Sequence, residues 1–118
     1  MKIAIPVDED KNTICVSFGR TSYFLFYQTE MKSIEILKNP AAEVQGGAGI
    51  KAAQFIVDQG VEALITVRCG QNAAEVLQAA DISIYKADKS SAVETIQDYQ
   101  ENKLAELTHF HAGFQGIQ

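Results

Sequence analysis

Hydrophobic residues follow one another in short unbroken runs through the first third of the chain, a pattern that favours strands. The runs predict strands at residues 2–7, 23–28 and 33–38, with a brief one at 14–16. A polar stretch between 23–28 and 33–38 suits a hairpin turn. Because no helical spacing interrupts these runs, we expect the first third to form an antiparallel meander.

Helical and strand patterns alternate in the rest of the chain. Residues 50–59 predict a helix, which Gly60 ends because glycine accepts the left-handed conformation that follows many helices. The apolar face of this helix is assigned to Ile50, Ala53, Phe55, Ile56 and Val57. Buried strands are predicted at 61–67 and 82–85.

The segment between these two strands has the spacing of a helix that packs one face on a sheet. Its apolar residues recur at i, i+3, i+4 and i+7: Ala73, Val76, Leu77 and Ala80. A strand, a crossover helix and a parallel strand form a βαβ unit. The second part of the chain is therefore expected to add parallel strands to the meander.

A last helix is predicted after residue 90. Ser91 and Glu94 have the spacing of a capping box, and Asn102 suits the left-handed position that ends a helix. We expect one domain over residues 1–103 and a partly mobile tail over 104–118. The fold class is α/β, a mixed sheet with an antiparallel N-terminal meander, then parallel βα units, and helices on both faces.

Composition and charge exclude several classes of protein. The 118 residues suffice for one domain, and 47% hydrophobic with 21% charged residues is typical of a soluble globular protein. A net charge of −5 argues against nucleic acid as a partner, because phosphate binding needs a basic face. No apolar run approaches the roughly 20 residues of a membrane span, and the start of the chain does not resemble a signal peptide. We therefore expect a cytoplasmic protein that does not bind a membrane.

The loop after the first strand of the βαβ unit is a strong candidate for a binding site. In open α/β sheets, ligands bind at the carboxyl ends of strands, where loops meet helix N-termini. The loop consists of Arg68, Cys69, Gly70, Gln71 and Asn72, which offer a positive charge, a sulfur and backbone N–H groups. It favours an anionic ligand, including one that contains a metal.

Cys69 has two interpretations. A helix N-terminus and the adjacent Arg68 would favour the thiolate, the form that binds metals. Alternatively, Cys69 is a small buried apolar residue, as free cysteines usually are. The other cysteine, Cys15, lies between Ile14 and Val16 and is assigned to the core. We expect no disulfide in a reducing compartment, and without a CxxC motif the chain does not support a closed zinc site.

A glycine-rich run directly precedes the helix at 50–59. It consists of Gly46, Gly47, Ala48 and Gly49, whose N–H groups would bind an anion at the start of the helix. It is not a Walker A loop, because no Gly-Lys-Ser/Thr follows, and it lacks the context of a dinucleotide fingerprint. The alternative is a flexible connection that lets the chain turn into the helix.

Phe18, Gly19 and Arg20 form a turn before the second main strand. A guanidinium group suits bidentate contact with an oxyanion or a thioanion, so Arg20 is a candidate ligand residue. The alternative is a salt bridge from Arg20 to Asp8 or Glu9.

His109 and His111 form an H-x-H pair near the end of the chain. In an extended segment both rings point to one side, which suits metal ligation. The alternative is a pair of solvated histidines.

Five motifs spread nearly from end to end carry a family resemblance. They are MKIAIPVDE at the start, FGRTSYFLFY from Phe18, GGAGIKAAQF from Gly46, GQNAAEVL from Gly70, and SAVETIQDYQENKL before the tail. Together they resemble the dinitrogenase iron–molybdenum cofactor biosynthesis family, small domains with a ribonuclease-H-like fold. The resemblance implies binding of iron–molybdenum or related metal–sulfur clusters during cofactor assembly, with assembly proteins as partners.

Two positions depart from the family pattern. Relatives usually carry a histidine just before the Phe-Gly-Arg triplet, where this chain has Ser17. They usually have Gly-Pro-Asn-Ala, preceded by a small residue, in the loop where this chain has Cys69 and Gly70 followed by Gln-Asn-Ala. Cys69 is either a soft ligand in place of the missing imidazole or incidental.

Three functions compete. The leading hypothesis is a carrier of an anionic metal–sulfur cluster. Residues of three turns, at 18–20, 46–49 and 68–72, would hold it together with Cys69, His109 or His111. A nuclease on the same fold would need several converging carboxylates, and residues 2–7 have none, so we expect no enzyme. The third hypothesis is a regulatory or scaffold domain that binds a small anion or a partner protein without metal, which the Ser17 departure keeps open.

Overall fold

A five-stranded mixed sheet forms the centre of the structure, a computed structural model in which residues 1–111 are described. The strands in chain order are β1 (Lys2–Val7), β2 (Tyr23–Gln28), β3 (Ser33–Lys38), β4 (Ala63–Thr66) and β5 (Ser83–Lys86). They lie in the order β3-β2-β1-β4-β5. The β1–β2 and β2–β3 pairs are antiparallel, whereas the β1–β4 and β4–β5 pairs are parallel. The predicted meander followed by parallel units is confirmed.

Within residues 1–111, three helices cover the two faces of this sheet. They are α1 (Ala48–Asp58), α2 (Gln71–Ala79) and α3 (Ala92–Gln100). Helices α1 and α2 pack with the side chains of Phe24 and Phe26 on one face, while α3 packs on the other with those of Ile3 and Ile5. The alternation of side chains along a strand explains how β1 and β2 supply both cores.

The predicted brief strand at 14–16 is wrong. Ile14 makes an isolated bridge with Val7, and its N–H donates to Ser90 O at 2.7 Å. The segment is therefore tied to β1 and to the residues before α3, but it is too short to form a ladder. The meander accordingly has three strands instead of four.

The helix ends follow the local signals in the sequence. Gly60 and Asn102 both have positive φ, at 72° and 60°, where they end α1 and α3. The Ser91 hydroxyl accepts a hydrogen bond from Glu94 N–H, as the capping-box spacing predicts. No helix in residues 1–111 is long and apolar enough to cross a membrane.

Residues 104–111, called here the C-terminal segment, lie along the outer edge of β5. Lys86 N–H donates to Ala105 O at 2.8 Å, and Leu107 N–H donates to Ile84 O at 2.9 Å. Leu107 and Phe110 also pack against the core beneath α1 and α2. The edge of β5 is thus covered by the same chain. The rest of the predicted tail, residues 112–118, lies outside the described residues.

Candidate functional site

A cavity of about 510 Å³ lies beyond the carboxyl end of β4. Four separate parts of the chain line it: residues 16–20, residues 45–50, His111, and four residues of the loop and first turn of α2, which are Arg68, Gly70, Asn72 and Ala73. The turns predicted as binding segments therefore meet at one edge of the sheet. This is the place where open α/β sheets usually bind ligands.

Most residues predicted to bind a cofactor line this cavity. They are Phe18, Gly19, Arg20, Gly46, Gly47, Ala48, Gly49, Gly70 and Asn72. The exception is Gln71, whose side chain lines a neighbouring groove on the outside of α2. The structure brings the nine residues together, and their contact with a ligand stays a prediction.

A close approach between two glycines holds the first two turns together. A Cβ atom added to Gly19 would lie 3.0 Å from both the Cα and the N of Gly49, which is tighter than most Cβ contacts in proteins. The turn at 17–20 therefore packs directly on the first turn of α1. A side chain at Gly19 would therefore force the Gly49 backbone to shift by a few tenths of an ångström.

The N-termini of α1 and α2 open onto the cavity without side-chain caps. Gly47 and Gly70 occupy the N-cap positions, and neither first turn contains an acidic residue. The N–H groups of Ala48, Gly49 and Ile50 have no hydrogen-bond acceptor among the described residues. Amides at a helix start carry partial positive charge and favour an anion.

One amide expected to be unpaired is occupied. Gln71 N–H donates to His111 O at 2.9 Å, so the C-terminal segment caps one position of α2. This amide is therefore not among the loop N–H groups that remain open to a ligand. The amides of Asn72 and Ala73 have no acceptor within residues 1–111.

Two arginines stand at the cavity. Arg20 Nη1 donates to the carbonyl oxygens of Ala42 and Val44, which ties it to the loop before α1. The alternative salt bridge to Asp8 or Glu9 is not formed. Arg68 is exposed, and its backbone forms a bridge with that of Ser17 on the cavity wall.

The charge of the cavity differs from that of the whole chain. Both Arg20 and Arg68 line it, and no carboxylate does so within the described part of the chain. Since the net charge of the protein is −5, the carboxylates lie elsewhere on its surface. The cavity is therefore the part of the molecule best suited to an anion.

Of the two interpretations of Cys69, the structure favours the small buried apolar residue over the thiolate. Cys69 is only 1% exposed and belongs to the core beneath α1 and α2. Burial raises the pKa of this thiol to about 12, so it stays protonated at neutral pH. The turn between Arg68 and Gly70 directs the side chain inward, away from the cavity. A metal bond from Cys69 stays a prediction, which a buried neutral thiol does not favour.

The two histidines do not share one pocket. His111 lines the cavity, whereas His109 lines the groove beside Gln71 on the outside of α2. The expectation that both rings face one site is therefore not met. Residues 1–111 hold no group of three histidine, cysteine or carboxylate side chains that would bind a metal ion.

Apolar residues at the rim of the cavity were not predicted from the sequence. Val16 is 55% exposed and Ile50 is 46% exposed, and both line the opening. Ile50 had been assigned to the apolar face of its helix. The buried residues of α1 are Ala48, Ala52, Ala53 and Ile56, and Ile50 is not among them. Because Ile50 lies three residues before Ala53, helical spacing alone did not show that it faces outward. For Val16, Gln45 and Ala73 the sequence also gives no signal of a place at the cavity.

The fold and the cavity define a small α/β domain with a basic pocket at the carboxyl edge of its sheet. The chain belongs to the dinitrogenase iron-molybdenum cofactor family, which matches residues 1–102. It is 36% identical over 107 residues to an uncharacterised protein of Methanocaldococcus jannaschii, covering 88% of this chain and 89% of that one.

Solved structures agree with this assignment. A putative NifB protein from Thermotoga is 34% identical, with a TM-score of 0.78 over 95% of this chain and 97% of that one. The apo form of the orange protein from Desulfovibrio gigas superposes with a TM-score of 0.84 over 91% of this chain and 92% of that one. Its identity of 23% shows a shared fold alone.

Proposed function

We propose that this protein binds an anionic metal–sulfur cluster of the iron–molybdenum type, or a precursor of one, in the cavity. The observation that carries the proposal is the convergence of two helix N-termini without side-chain caps on a pocket with two arginines and no described carboxylate. Membership of the dinitrogenase iron-molybdenum cofactor family supports a cargo of this type.

The residues at the cavity fit a cargo that is held mainly by hydrogen bonds. Backbone amides and guanidinium groups donate to anions, and charge-assisted bonds of this kind are about twice as strong as neutral ones. The described residues offer no set of three metal ligands, so they do not support a cluster fixed by several protein–metal bonds. The volume of about 510 Å³ lies within the usual range for small-molecule sites.

This arrangement suits a carrier that takes up and releases a cluster without chemical change. General acid–base chemistry commonly uses carboxylates held against the reacting group, and no carboxylate lines the cavity among the described residues. A cargo held by hydrogen bonds leaves when a protein with stronger metal ligands takes it. Cofactor-assembly proteins are therefore the partners that we propose, and the protein itself needs no catalytic step.

Anaerobic reconstitution tests this function. The protein is incubated with iron, sulfide and molybdate, desalted, and analysed for bound metals and visible absorption. Arg68→Gln should weaken retention about tenfold, because one hydrogen bond to a charged group contributes roughly 1.5–3 kcal/mol. Arg20→Gln should have a similar effect, although it also releases the loop at Ala42.

Lys103→Gln is the matched control. It removes a positive charge that pairs with Glu101 at the end of α3 and lines no part of the cavity. If wild-type protein retains no metal, the carrier function is contradicted. Retention of molybdate alone, without iron or sulfide, would instead favour the alternative in which the cavity binds a small oxyanion and no metal–sulfur cluster.

A further inference from the structure

The C-terminal segment brings a side chain to the cavity from beyond the family match, which ends at residue 102. Two backbone hydrogen bonds to β5 and the packing of Leu107 and Phe110 fix its path. A third bond, from Gln71 N–H to His111 O, fastens it to the start of α2. These contacts place residue 111 at the wall of the cavity.

The His111 imidazole lies directly against Gly70. A Cβ atom added to Gly70 would lie 3.3 Å from His111 Cε1 and 3.7 Å from Nε2. The backbone of Gly70 has φ −73° and ψ 155°, which any residue adopts. The backbone conformation at this position therefore does not require glycine. The absence of a side chain at Gly70 instead makes room for the His111 imidazole.

We propose that His111 contacts the cargo, and that the C-terminal segment serves to deliver this imidazole to the cavity. The inference rests on the proposed function and extends it to a residue outside the family match. Imidazole is both a hydrogen-bond donor to a sulfide and a common ligand of transition metals. It is the only imidazole on the cavity wall within the described residues.

Titration with tetrathiomolybdate, an anionic molybdenum sulfide, tests the contact. We expect His111→Ala to weaken binding about tenfold, because the lost bond is made to a charged partner. His109→Ala is the matched control, since His109 lies two residues away in the neighbouring groove and should change affinity less than about twofold. His111→Gln keeps an N–H donor, so partial recovery of affinity would support hydrogen bonding, and no recovery would support metal ligation.

Hydrogen exchange separates direct contact from a structural effect. The amides of Lys86 and Leu107 report on docking of the C-terminal segment, because both are hydrogen-bonded across the β5 edge. Their protection should be unchanged in His111→Ala. Loss of this protection, or equal affinity of His111→Ala and wild type, would overturn the inference. If wild type itself binds neither tetrathiomolybdate nor a reconstituted cluster, the proposed function fails together with the inference.

Discussion

The N-terminus of α3 differs from those of α1 and α2 in how its amides are satisfied. Ala92 N–H donates to Asn12 O at 2.8 Å, Val93 N–H donates to Asn12 Oδ1 at 3.3 Å, and Glu94 N–H donates to Ser91 Oγ at 3.3 Å. All three first amides of α3 thus have acceptors from the chain. In α1 the corresponding amides have none within the described residues.

The difference separates a structural helix end from one that suits a ligand. A side-chain cap typically stabilises a protein by about 1 kcal/mol, so the open ends of α1 and α2 forgo stability that α3 gains. The first turn of α3 also contains Glu94, whereas those of α1 and α2 contain no acidic residue. A carboxylate there would stabilise the helix but repel an anion. This contrast is expected if α1 and α2 receive their acceptors from a bound anion.

Gly19→Ala should have the largest effect, because it disturbs the contact between the turn at 17–20 and the open N-terminus of α1. The new Cβ would meet backbone atoms of Gly49 at 3.0 Å, so the two turns must separate. Overpacking of this kind costs about 1–3 kcal/mol, and tetrathiomolybdate binding should fall more than about tenfold. Urea unfolding and ligand titration measure the two effects.

Gly49→Ala is the matched control for this change. Its Cβ would lie 3.6 Å from the Cβ of Ala73, an ordinary van der Waals distance. Alanine also favours a helix over glycine by roughly 0.5–1 kcal/mol, so Gly49→Ala should be at least as stable as wild type. Equal stability of Gly19→Ala and Gly49→Ala would show that the two turns are not in tight contact.

Ser91→Ala tests the closed end of α3. It removes the acceptor of Glu94 N–H, and the free energy of unfolding should fall by about 1 kcal/mol. Affinity for tetrathiomolybdate should not change, because Ser91 lines no part of the cavity. A large loss of affinity would contradict the division between structural and binding helix ends.

Local patterns in the sequence predicted the parts of the fold that depend on neighbouring residues. The capping box at Ser91, the glycine stop at Gly60 and the periodicity of α2 each act within one or two turns of chain. The three turns meet at one edge because of the strand pairing: β1 and β4 end there, antiparallel β2 begins there, and β3 ends there.

Side-chain directions in loops were not predictable in the same way. Cys69 and Arg68 are adjacent, yet one is buried in the core and the other is exposed at the cavity. A rotation of the backbone between them decides which faces outward, and no periodicity applies in a loop. The contact of His111 with Gly70 joins residues about 40 positions apart, and it depends on the pairing of the C-terminal segment with β5.

Ile50→Glu introduces into α1 the feature that distinguishes α3. Ile50 is the third residue of α1 and Glu94 is the third residue of α3, so the substitution places a carboxylate at the equivalent position. Stability should rise by about 0.3–1 kcal/mol through the helix dipole. Affinity for tetrathiomolybdate should fall about fivefold, which corresponds to roughly 1 kcal/mol of repulsion near the surface. Ile50→Gln is the neutral control, and an unchanged affinity of Ile50→Glu would place the anion elsewhere.

The smallest effect that we expect near neutral pH concerns the Cys69 thiol. Its reactivity shows whether the open N-terminus of α2 or burial controls its ionisation. Cys69 directly precedes the N-cap of α2, which would lower its pKa, but burial raises the pKa from 9.0 to about 12. Burial also raises the pKa of Cys15, which is only partly buried. Thiol titration of the native protein with Ellman's reagent should therefore modify Cys15 slowly and Cys69 only after unfolding, with Cys15→Ser as the control.

The same pKa difference makes the free energy of unfolding depend on pH in the alkaline range. Above about pH 9 the unfolded chain releases the Cys69 proton, while the folded chain keeps it up to about pH 12. The unfolded state is therefore favoured increasingly through this window, and the stabilising effect of the neutral thiol is lost as pH rises. Urea unfolding should show a constant difference in the free energy of unfolding between wild type and Cys69→Ala below about pH 9. Above about pH 9 the free energy of unfolding of wild type should fall relative to that of Cys69→Ala. A thiol that reacts readily in the native protein at neutral pH would show that the helix N-terminus outweighs burial.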